Sequence, residues 1–177
     1  MSASSTSSTP DDPLTAARRH WDSRGWSDAT PGMAALTSVV RTGHVLRARV
    51  DAALEPFALT FARYEVLALL KFARARSLPM SRVSSRLQVQ PASMTHTVRR
   101  LEQDGLLARF PNPRDGRGTL IGITDEGIAL VHAATPHLNT VFLDLGLAPE
   151  EAEQLIRLCT RLLEHHEQPR DGGPSPT

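Results

Sequence analysis

Apolar residues recur at steps of three or four along much of the chain, which is the spacing that lines them up on one face of an α-helix. The longest regular stripe falls within residues 33–54 and consists of Leu36, Val39, Val40, Gly43, Leu46, Val50 and Leu54. Further helices are predicted over 13–24, 60–76, 81–87, 91–104, 125–145 and 147–167. The pattern therefore predicts a mainly α-helical fold.

Local signals mark several of the helix ends. Asp12 precedes Pro13, an order that suits an N-cap followed by the first helical position, and Gly25 ends the same segment. Thr60 and Thr124 are the predicted N-caps of two later helices. The helix after Thr60 carries apolar residues on most of its faces, so we expect it to lie at the centre of the core.

Two segments have the character of strands, at 106–110 and 119–123, and a link rich in Pro and Gly joins them. They predict a two-stranded β hairpin, or wing. Two short helices precede it, at 81–87 and 91–104, with a break at residues 89–91. Helix, turn, helix and basic hairpin in this order outline a winged helix-turn-helix, a fold that docks on double-stranded DNA.

The formal net charge of +1 hides a strong division of charge along the chain. Residues 81–123 hold seven arginines against three acidic residues, whereas residues 124–177 hold three arginines against nine acidic residues. A basic segment beside an acidic one is typical of a protein that places one face on phosphate. Lys71 is the sole lysine, and arginine favours bidentate contacts with phosphate and guanine.

The helix predicted over 91–104 has two chemically different faces. Met94, Val98 and Leu101 follow one another at spacings of four and three, so we expect them to pack inward. The opposite face offers a small residue, a hydroxyl, an imidazole and a guanidinium, which suit a helix lying in a major groove. The predicted DNA contacts on this helix and at its exposed N-terminal end are Gln90, Ala92, Ser93, Thr95, His96 and Arg99.

The segment LEQDGLLAR at 101–109, followed by DGR at 115–117 and TLIGITDEG at 119–127, resembles the recognition-helix exit and wing of the MarR regulators (multiple antibiotic resistance type). The resemblance implies a transcriptional regulator that forms a homodimer, with interleaved N- and C-terminal helices and a winged module on each side. It also implies that Arg117 enters the minor groove and that Asp115 helps to hold the wing, which Arg114 is predicted to serve as well. Gly116 departs from the family, where many members carry a further basic residue.

Two apolar stripes towards the C-terminus support dimerisation: Leu138, Val141, Phe142 and Leu145, and then Leu155, Leu158, Cys159 and Leu162. Either stripe could instead belong to an intrachain core. Because a small winged domain has little surface with which to cover these stripes and that of residues 33–54 together, a partner chain is the more economical explanation. Two-fold symmetry then predicts a pseudo-palindromic DNA site with half-sites about 10 bp apart.

A small aromatic or anionic effector is a further expected partner, because MarR relatives often bind such compounds between the dimer region and the winged module. The residues that could line a pocket are Trp21, Trp26, His44, Arg47 and Tyr64. In the alternative interpretation, the aromatic residues are packing anchors and the cations are solvated. The N-terminal helix bearing Trp21 is similar to the urate-responsive subgroup, but Glu65 stands where that subgroup has an aspartate, so the urate site is not carried over.

Several functional classes are not favoured. No catalytic triad context, phosphate-binding loop or dinucleotide fingerprint occurs, so we expect neither an enzyme nor a cofactor. The seven histidines show no metal-ligand spacing, and Cys159 lies on an apolar stripe, which argues against metal or redox sensing. No apolar run approaches the roughly 20 residues of a membrane span, and the N-terminus lacks the order of a signal peptide. We therefore expect a cytoplasmic protein.

Residues 1–12 and 168–177 are predicted to be disordered tails, because Ser, Thr, Pro, Gly and charged residues leave them little to bury. Between them we predict N-terminal helices of a dimerisation region at 13–57, a winged helix-turn-helix DNA-binding module at 58–124 and C-terminal dimerisation helices at 125–167. The competing hypothesis is a ligand- or redox-sensing regulatory adaptor in which DNA binding is weak or lost.

Overall fold

The computed structural model describes residues 12–112 and 119–167. Within these residues the fold is mainly helical, with one small antiparallel sheet, and this confirms the predicted fold class. The chain divides into two compact units, one ending at Val141 and one beginning at Phe142.

Seven α-helices lie in the described residues, in the predicted order. They are α1 (Pro13–Ser23), α2 (Thr30–Leu54), α3 (Phe61–Phe72), α4 (Met80–Leu87), α5 (Pro91–Gln103), α6 (Asp125–Leu143) and α7 (Pro149–Glu167). Two short 3-10 helices, Ser27–Ala29 and Glu55–Phe57, flank α2. The helical periodicity therefore predicted the existence of each helix correctly.

The predicted N-caps are confirmed by hydrogen bonds. The carboxylate of Asp12 accepts from the backbone N–H of Thr15 at 3.2 Å. The hydroxyl oxygens of Thr60 and Thr124 accept in the same way from N–H groups three residues further on, at 3.4 and 3.1 Å. Each bond satisfies a donor that the first turn of a helix leaves without an intrahelical partner.

Four predicted helix boundaries were displaced by two residues or more, and one of them is the start of α7, at Pro149 instead of residue 147. Helix α3 ends at Phe72 instead of Arg76, because Ala73 turns to an extended conformation and leads into a strand. Helix α6 ends at Leu143, two residues before the predicted end, and Gly146 follows it with a φ of +75°. Helix α2 begins three residues earlier than predicted, at Thr30.

The sheet has three antiparallel strands, β1 (Ser77–Pro79), β2 (Leu107–Pro111) and β3 (Thr119–Ile123), in the order β1-β3-β2. Strands β2 and β3 form the predicted wing hairpin, with Leu107 opposite Ile123. Strand β1, which the sequence did not indicate, adds to the other edge of β3 with Leu78 opposite Ile121. Three residues are too few for strand alternation to be visible in a sequence.

The core lies between α3, α4, α5, the sheet, the end of α2 and most of α6. It is apolar, and its largest fully buried side chains are Leu54, Val66, Leu67, Leu70, Val83, Met94, Val98, Leu101, Ile121, Val131 and Leu138. We call residues 61–123, with α3 to α5 and the three strands, the winged module. As predicted, α3 is central, because it contributes three of these side chains.

The predicted apolar stripes divide into buried and exposed parts. Val50 and Leu54 of α2 are buried, while Leu36 is 66% exposed and Val39 and Val40 are about half exposed. The stripe that begins in α6 is buried up to Val141 and exposed in Phe142 and in Leu145, which follows the helix. The leucines of the α7 stripe are exposed. The chain alone therefore covers only part of the apolar surface that the periodicity predicts.

Candidate nucleic-acid interface

Helix α5 presents one buried and one exposed face. Met94, Val98 and Leu101 are buried in the core, as predicted. The residues predicted to contact DNA are all exposed: Gln90, Ala92, Ser93, Thr95, His96 and Arg99. The core therefore packs against one face of α5, and polar side chains of several types are accessible to a ligand on the opposite face.

The exposed N-terminal end of α5 is suited to meet an anion. The Gln90 side chain, which lies in the described part of the chain, makes no capping hydrogen bond. The exposed Thr95 hydroxyl donates to the Pro91 carbonyl at 2.8 Å, so its oxygen can still act as an acceptor. Helix N-termini carry a partial positive charge and unpaired N–H groups, both of which favour phosphate.

The turn between α4 and α5 depends on a left-handed residue that is not glycine. Gln88 has a φ of +51°, and its N–H returns to α4. The Val89 N–H also donates to the Ser84 carbonyl, at 3.1 Å. On α4 itself Val83 is buried, and the arginines at 82 and 86 are exposed. This turn places a basic helix directly before the exposed face of α5.

The C-terminal turn of α5 is held by two ion pairs to other elements. Glu102 accepts from the Arg109 Nε of β2 with both oxygens, at 3.1 and 3.0 Å. Asp104, the C-cap of α5, forms an ion pair with Arg63 of α3. The Arg63 guanidinium also donates to the Ala58 carbonyl at 2.8 Å, so one side chain joins the turn before α3 to the end of α5.

The predicted wing residues Arg114, Asp115 and Arg117 lie outside the described residues, as does Gly116. The base of the wing is described, and there the Phe110 ring lies directly on β3. A Cβ atom at position 122 would be 2.7 Å from the Phe110 ring, so Gly122 is required for this close approach.

The five predicted effector residues lie in different surroundings. The rings of Trp21 and Trp26 meet edge to face, with centroids 5.4 Å apart. The Arg47 guanidinium lies 5.8 Å from the centroid of the Phe61 ring, and the Tyr64 hydroxyl is 2.9 Å from that of Thr135 on α6.

The fifth predicted effector residue, His44, is exposed on α2. None of the contacts described for the other four residues joins the tryptophans to Arg47 or Tyr64. The contacts of the described residues therefore do not bring all five side chains together in one pocket.

Glu65 of α3 has an altered acidity. Burial raises the pKa of its carboxyl above the ordinary value of 4.5, and the nearby Arg47 acts in the opposite direction. Charged groups lose hydration when they are buried, so the neutral form of Glu65 is favoured. The only signal of this raised pKa in the sequence is the position of Glu65 on a helix that is apolar on most faces.

The fold and this two-faced helix define the class of the protein as a winged helix-turn-helix. Residues 59–119 match the model of the MarR family. The solved structure of Sco5413, a MarR family transcriptional regulator from Streptomyces coelicolor, is similar to this chain, with 44% sequence identity and a TM-score of 0.69. The match covers 77% of this chain and 95% of that one. The chain belongs to the MarR family.

Two further relatives are more distant. A complex of S. aureus MepR with DNA is 27% identical, covers 73% of this chain and 96% of its own, and has a TM-score of 0.66. The organic hydroperoxide resistance transcriptional regulator of Bacillus subtilis (strain 168) is 29% identical over 109 residues, which are 62% of this chain and 71% of that protein.

The comparisons identify the chain as a MarR-family transcriptional regulator, in agreement with the prediction that it is not an enzyme. In the described residues, no helix is long and apolar enough to cross a membrane. No group of three or more His, Cys, Asp or Glu side chains that could hold a metal ion occurs there either.

Proposed function

We propose that this regulator is a repressor that binds pseudo-palindromic promoter DNA as a homodimer, with α5 of each protomer in a major groove. The observation that carries the proposal is the contrast between the buried Met94, Val98 and Leu101 and the exposed polar face opposite them. The similarity to the DNA complex of MepR supports it. We expect a protein with this role to act in the cytoplasm.

The proposed base contacts come from Thr95, His96 and Arg99, because hydroxyl, imidazole and guanidinium groups match donors and acceptors at base edges. Ala92 offers a methyl group to thymine, while Gln90 and Ser93 contact phosphate at the helix N-terminus. Arg82 and Arg86, exposed on α4, add contacts to the DNA backbone.

The wing supplies the second part of the proposed interface. Arg117 enters the minor groove, where a narrow groove concentrates negative potential and attracts arginine. Asp115 helps to hold the wing, and Arg114 contacts the backbone. The described strands β2 and β3 lead directly to these residues, and their antiparallel register supports a projecting hairpin.

Dimerisation is supported by the apolar surface that the single chain leaves exposed. Leu36, Val39 and Val40 of α2 form one such surface, and α7 exposes apolar residues of its own: Leu155, Ile156, Leu158, Leu162 and Leu163. Exposed apolar surfaces of this kind mark interaction sites in soluble proteins. A second copy of the chain covers them in the proposed dimer and places two recognition helices about one DNA turn apart.

A small aromatic or anionic effector completes the proposal by releasing the repressor from DNA. Arg47 supplies a cation near an aromatic ring and near Glu65. Trp21, Trp26, His44 and Tyr64 are the remaining candidate contacts. The test is whether an aromatic carboxylate that lowers DNA affinity in the wild type still does so in Arg47→Gln. An equal response in both proteins would remove Arg47 from the effector site.

The experiment that tests DNA binding measures fluorescence anisotropy of a labelled fragment from upstream of the protein's own gene, at several salt concentrations. An unrelated fragment of equal length serves as the competitor. We expect preferential, salt-sensitive binding of the upstream fragment, because phosphate contacts release counterions and base contacts add specificity. Arg99→Ala should reduce the preference, and Arg161→Ala on α7 is the matched control that should retain it.

Two results would contradict the proposal. The first is equally weak binding of both fragments together with a genome-wide selection that enriches no DNA sequence. This result would favour the hypothesis of a regulatory adaptor. Equal loss of preference in Arg99→Ala and Arg161→Ala would show that the face of α5 does not read the bases.

A further inference from the structure

The C-terminal turn of α5 is held by two arginines that belong to neighbouring elements, one on α3 and one on β2. Asp104 pairs with Arg63, 41 positions away on α3, and Glu102 pairs with Arg109 on β2. A third cation, Arg100, lies 3.8 Å from Asp104 but is one turn away on the same helix. Only the first two pairs can therefore fix α5 relative to the elements beside it.

Arg63 is the more constrained of the two cations. Its side chain is 17% exposed, and it joins Asp104 to the carbonyl of Ala58. Its Nε is buried and has no hydrogen-bond partner among the described residues. Burying a polar group without a partner is unfavourable, so the guanidinium is oriented by its two bonds at some cost in stability.

The two ion pairs lie at the end of α5 opposite to the proposed DNA contacts, so a small tilt at the pairs produces a large displacement at those contacts. Ala92 lies about 18 Å along the helix axis from Asp104, at about 1.5 Å per residue. A tilt of about 5° around the C-terminal turn would move Ala92 by about 1.6 Å over that length. Hydrogen bonds to bases need donor and acceptor within about 2.7–3.2 Å, so such a shift would break them.

The apolar face of α5 does not impose the same restraint. Contacts made by Met94, Val98 and Leu101 are individually non-directional, and their packing restricts the angle of the helix to a range of about 15–20°. Charge-assisted hydrogen bonds have a preferred geometry, particularly when arginine meets both oxygens of a carboxylate. The two pairs are the ionic contacts described between the C-terminal turn and its neighbours, and the backbone adds one bond from the Leu106 N–H to the Leu101 carbonyl, at 2.9 Å.

We propose that Arg63–Asp104 and Glu102–Arg109 are positioning ion pairs that set the angle at which α5 enters the major groove. They are required for discrimination between DNA sequences more than for affinity to DNA in general. This inference rests on the proposed reading of bases by α5. General affinity comes mainly from phosphate contacts, which tolerate small tilts, whereas base contacts do not.

The test is the double variant Glu102→Gln with Asp104→Asn, which keeps the shape of both side chains and removes their charge. Dissociation constants are measured at one salt concentration for the operator fragment and for a scrambled fragment of equal length. Specificity is the dissociation constant of the scrambled fragment divided by that of the operator fragment. We expect this ratio to fall by roughly five- to tenfold, as the loss of two partly exposed pairs allows. Binding of the scrambled fragment should stay equal or become tighter, because two negative charges are removed.

Asp51→Asn is the matched control. The Asp51 carboxylate accepts from the Phe61 N–H at 2.7 Å and so joins α2 to α3, without contacting α5. The control should lose thermal stability to a similar extent and keep the wild-type ratio. A lower ratio in the control as well would overturn the inference, because general loosening of the module would then explain the effect.

The remaining outcomes separate the two proposals. If the wild type discriminates between the fragments and the double variant does so equally well, the positioning role is wrong. If the wild type itself does not discriminate, the proposed function fails, and the positioning role falls with it. Should the double variant not fold, Glu102→Gln alone gives the same test, since Arg109 is 40% exposed, and an unchanged ratio would again refute the role.

Discussion

The core side chains of the winged module are buried within the chain, whereas the large apolar side chains of α7 are exposed. Leu67, Val98, Leu101 and Ile121 have no exposed surface, while Ile156 of α7 is 57% exposed. Both segments have the periodicity of amphipathic helices, so the pattern alone does not distinguish them. The winged module shares one core with side chains of α2 and α6, such as Leu54 and Leu138, whereas the apolar face of α7 is left exposed, as the proposed dimer requires.

The largest expected effect is the loss of core packing in the winged module. Leu101→Ala should lower the free energy of unfolding by about 2–5 kcal/mol, because it removes a buried side chain and leaves a cavity. Chemical denaturation measures the change. Leu158→Ala, the same substitution on the exposed face of α7, should cost less in dilute protein. Equal losses at all protein concentrations would contradict the distinction between the two regions.

The second effect concerns association. Leu36→Glu should weaken dimerisation by at least about 3 kcal/mol, or roughly a hundredfold in dissociation constant, because it places a charge on an apolar interface. Sedimentation equilibrium measures it. Ala52→Glu, an exposed position that the helical spacing puts on nearly the opposite side of α2 from Leu36, is the control and should leave the association unchanged. A monomeric wild type would remove the dimer from the proposed function.

The elements that were predicted from the sequence are those with local causes. The N-cap bond of Thr124 reaches only three residues along the chain, and the buried face of α5 is marked by the spacing of Met94, Val98 and Leu101. The exposed face of α5 follows from the same spacing. The predicted fold class and the candidate site on this helix were therefore accessible before the structure.

The features that were missed have causes distant in sequence. Strand β1 exists because β3 offers it an edge, and Asp51 adds a cap to α3 from another helix. The turns at Ala58 and Gln88 have a left-handed backbone conformation, which glycine usually occupies. Because neither residue is glycine, the sequence did not indicate these turns. The Arg63–Asp104 pair likewise becomes visible only once α3 and α5 are packed together.

A smaller effect is expected within the proposed interface. Arg117→Ala should weaken binding to all sequences and reduce the slope of log affinity against log salt by about 1, because one phosphate-neutralising cation is lost. His96→Ala should instead cost about 1–3 kcal/mol for the preferred sequence and relax the preference at one base position. Titrations with single-base operator variants measure both. Equal affinities and slopes for both variants would refute the division of labour between wing and helix.

The smallest effect is the pH dependence contributed by Glu65. Because burial raises the pKa of this carboxyl in the folded state above 4.5, the unfolded chain loses its proton first as pH rises. The folded state therefore loses stability between the unfolded and the folded pKa, and the loss persists at neutral pH. Glu65→Gln should raise the melting temperature at pH 7 and leave it nearly unchanged at pH 3.5, measured by differential scanning calorimetry. Asp125→Asn, at an exposed position in the first turn of α6, is the control without burial. A Gln variant less stable than the wild type at pH 7 would show that the attraction of Arg47 outweighs burial at this site.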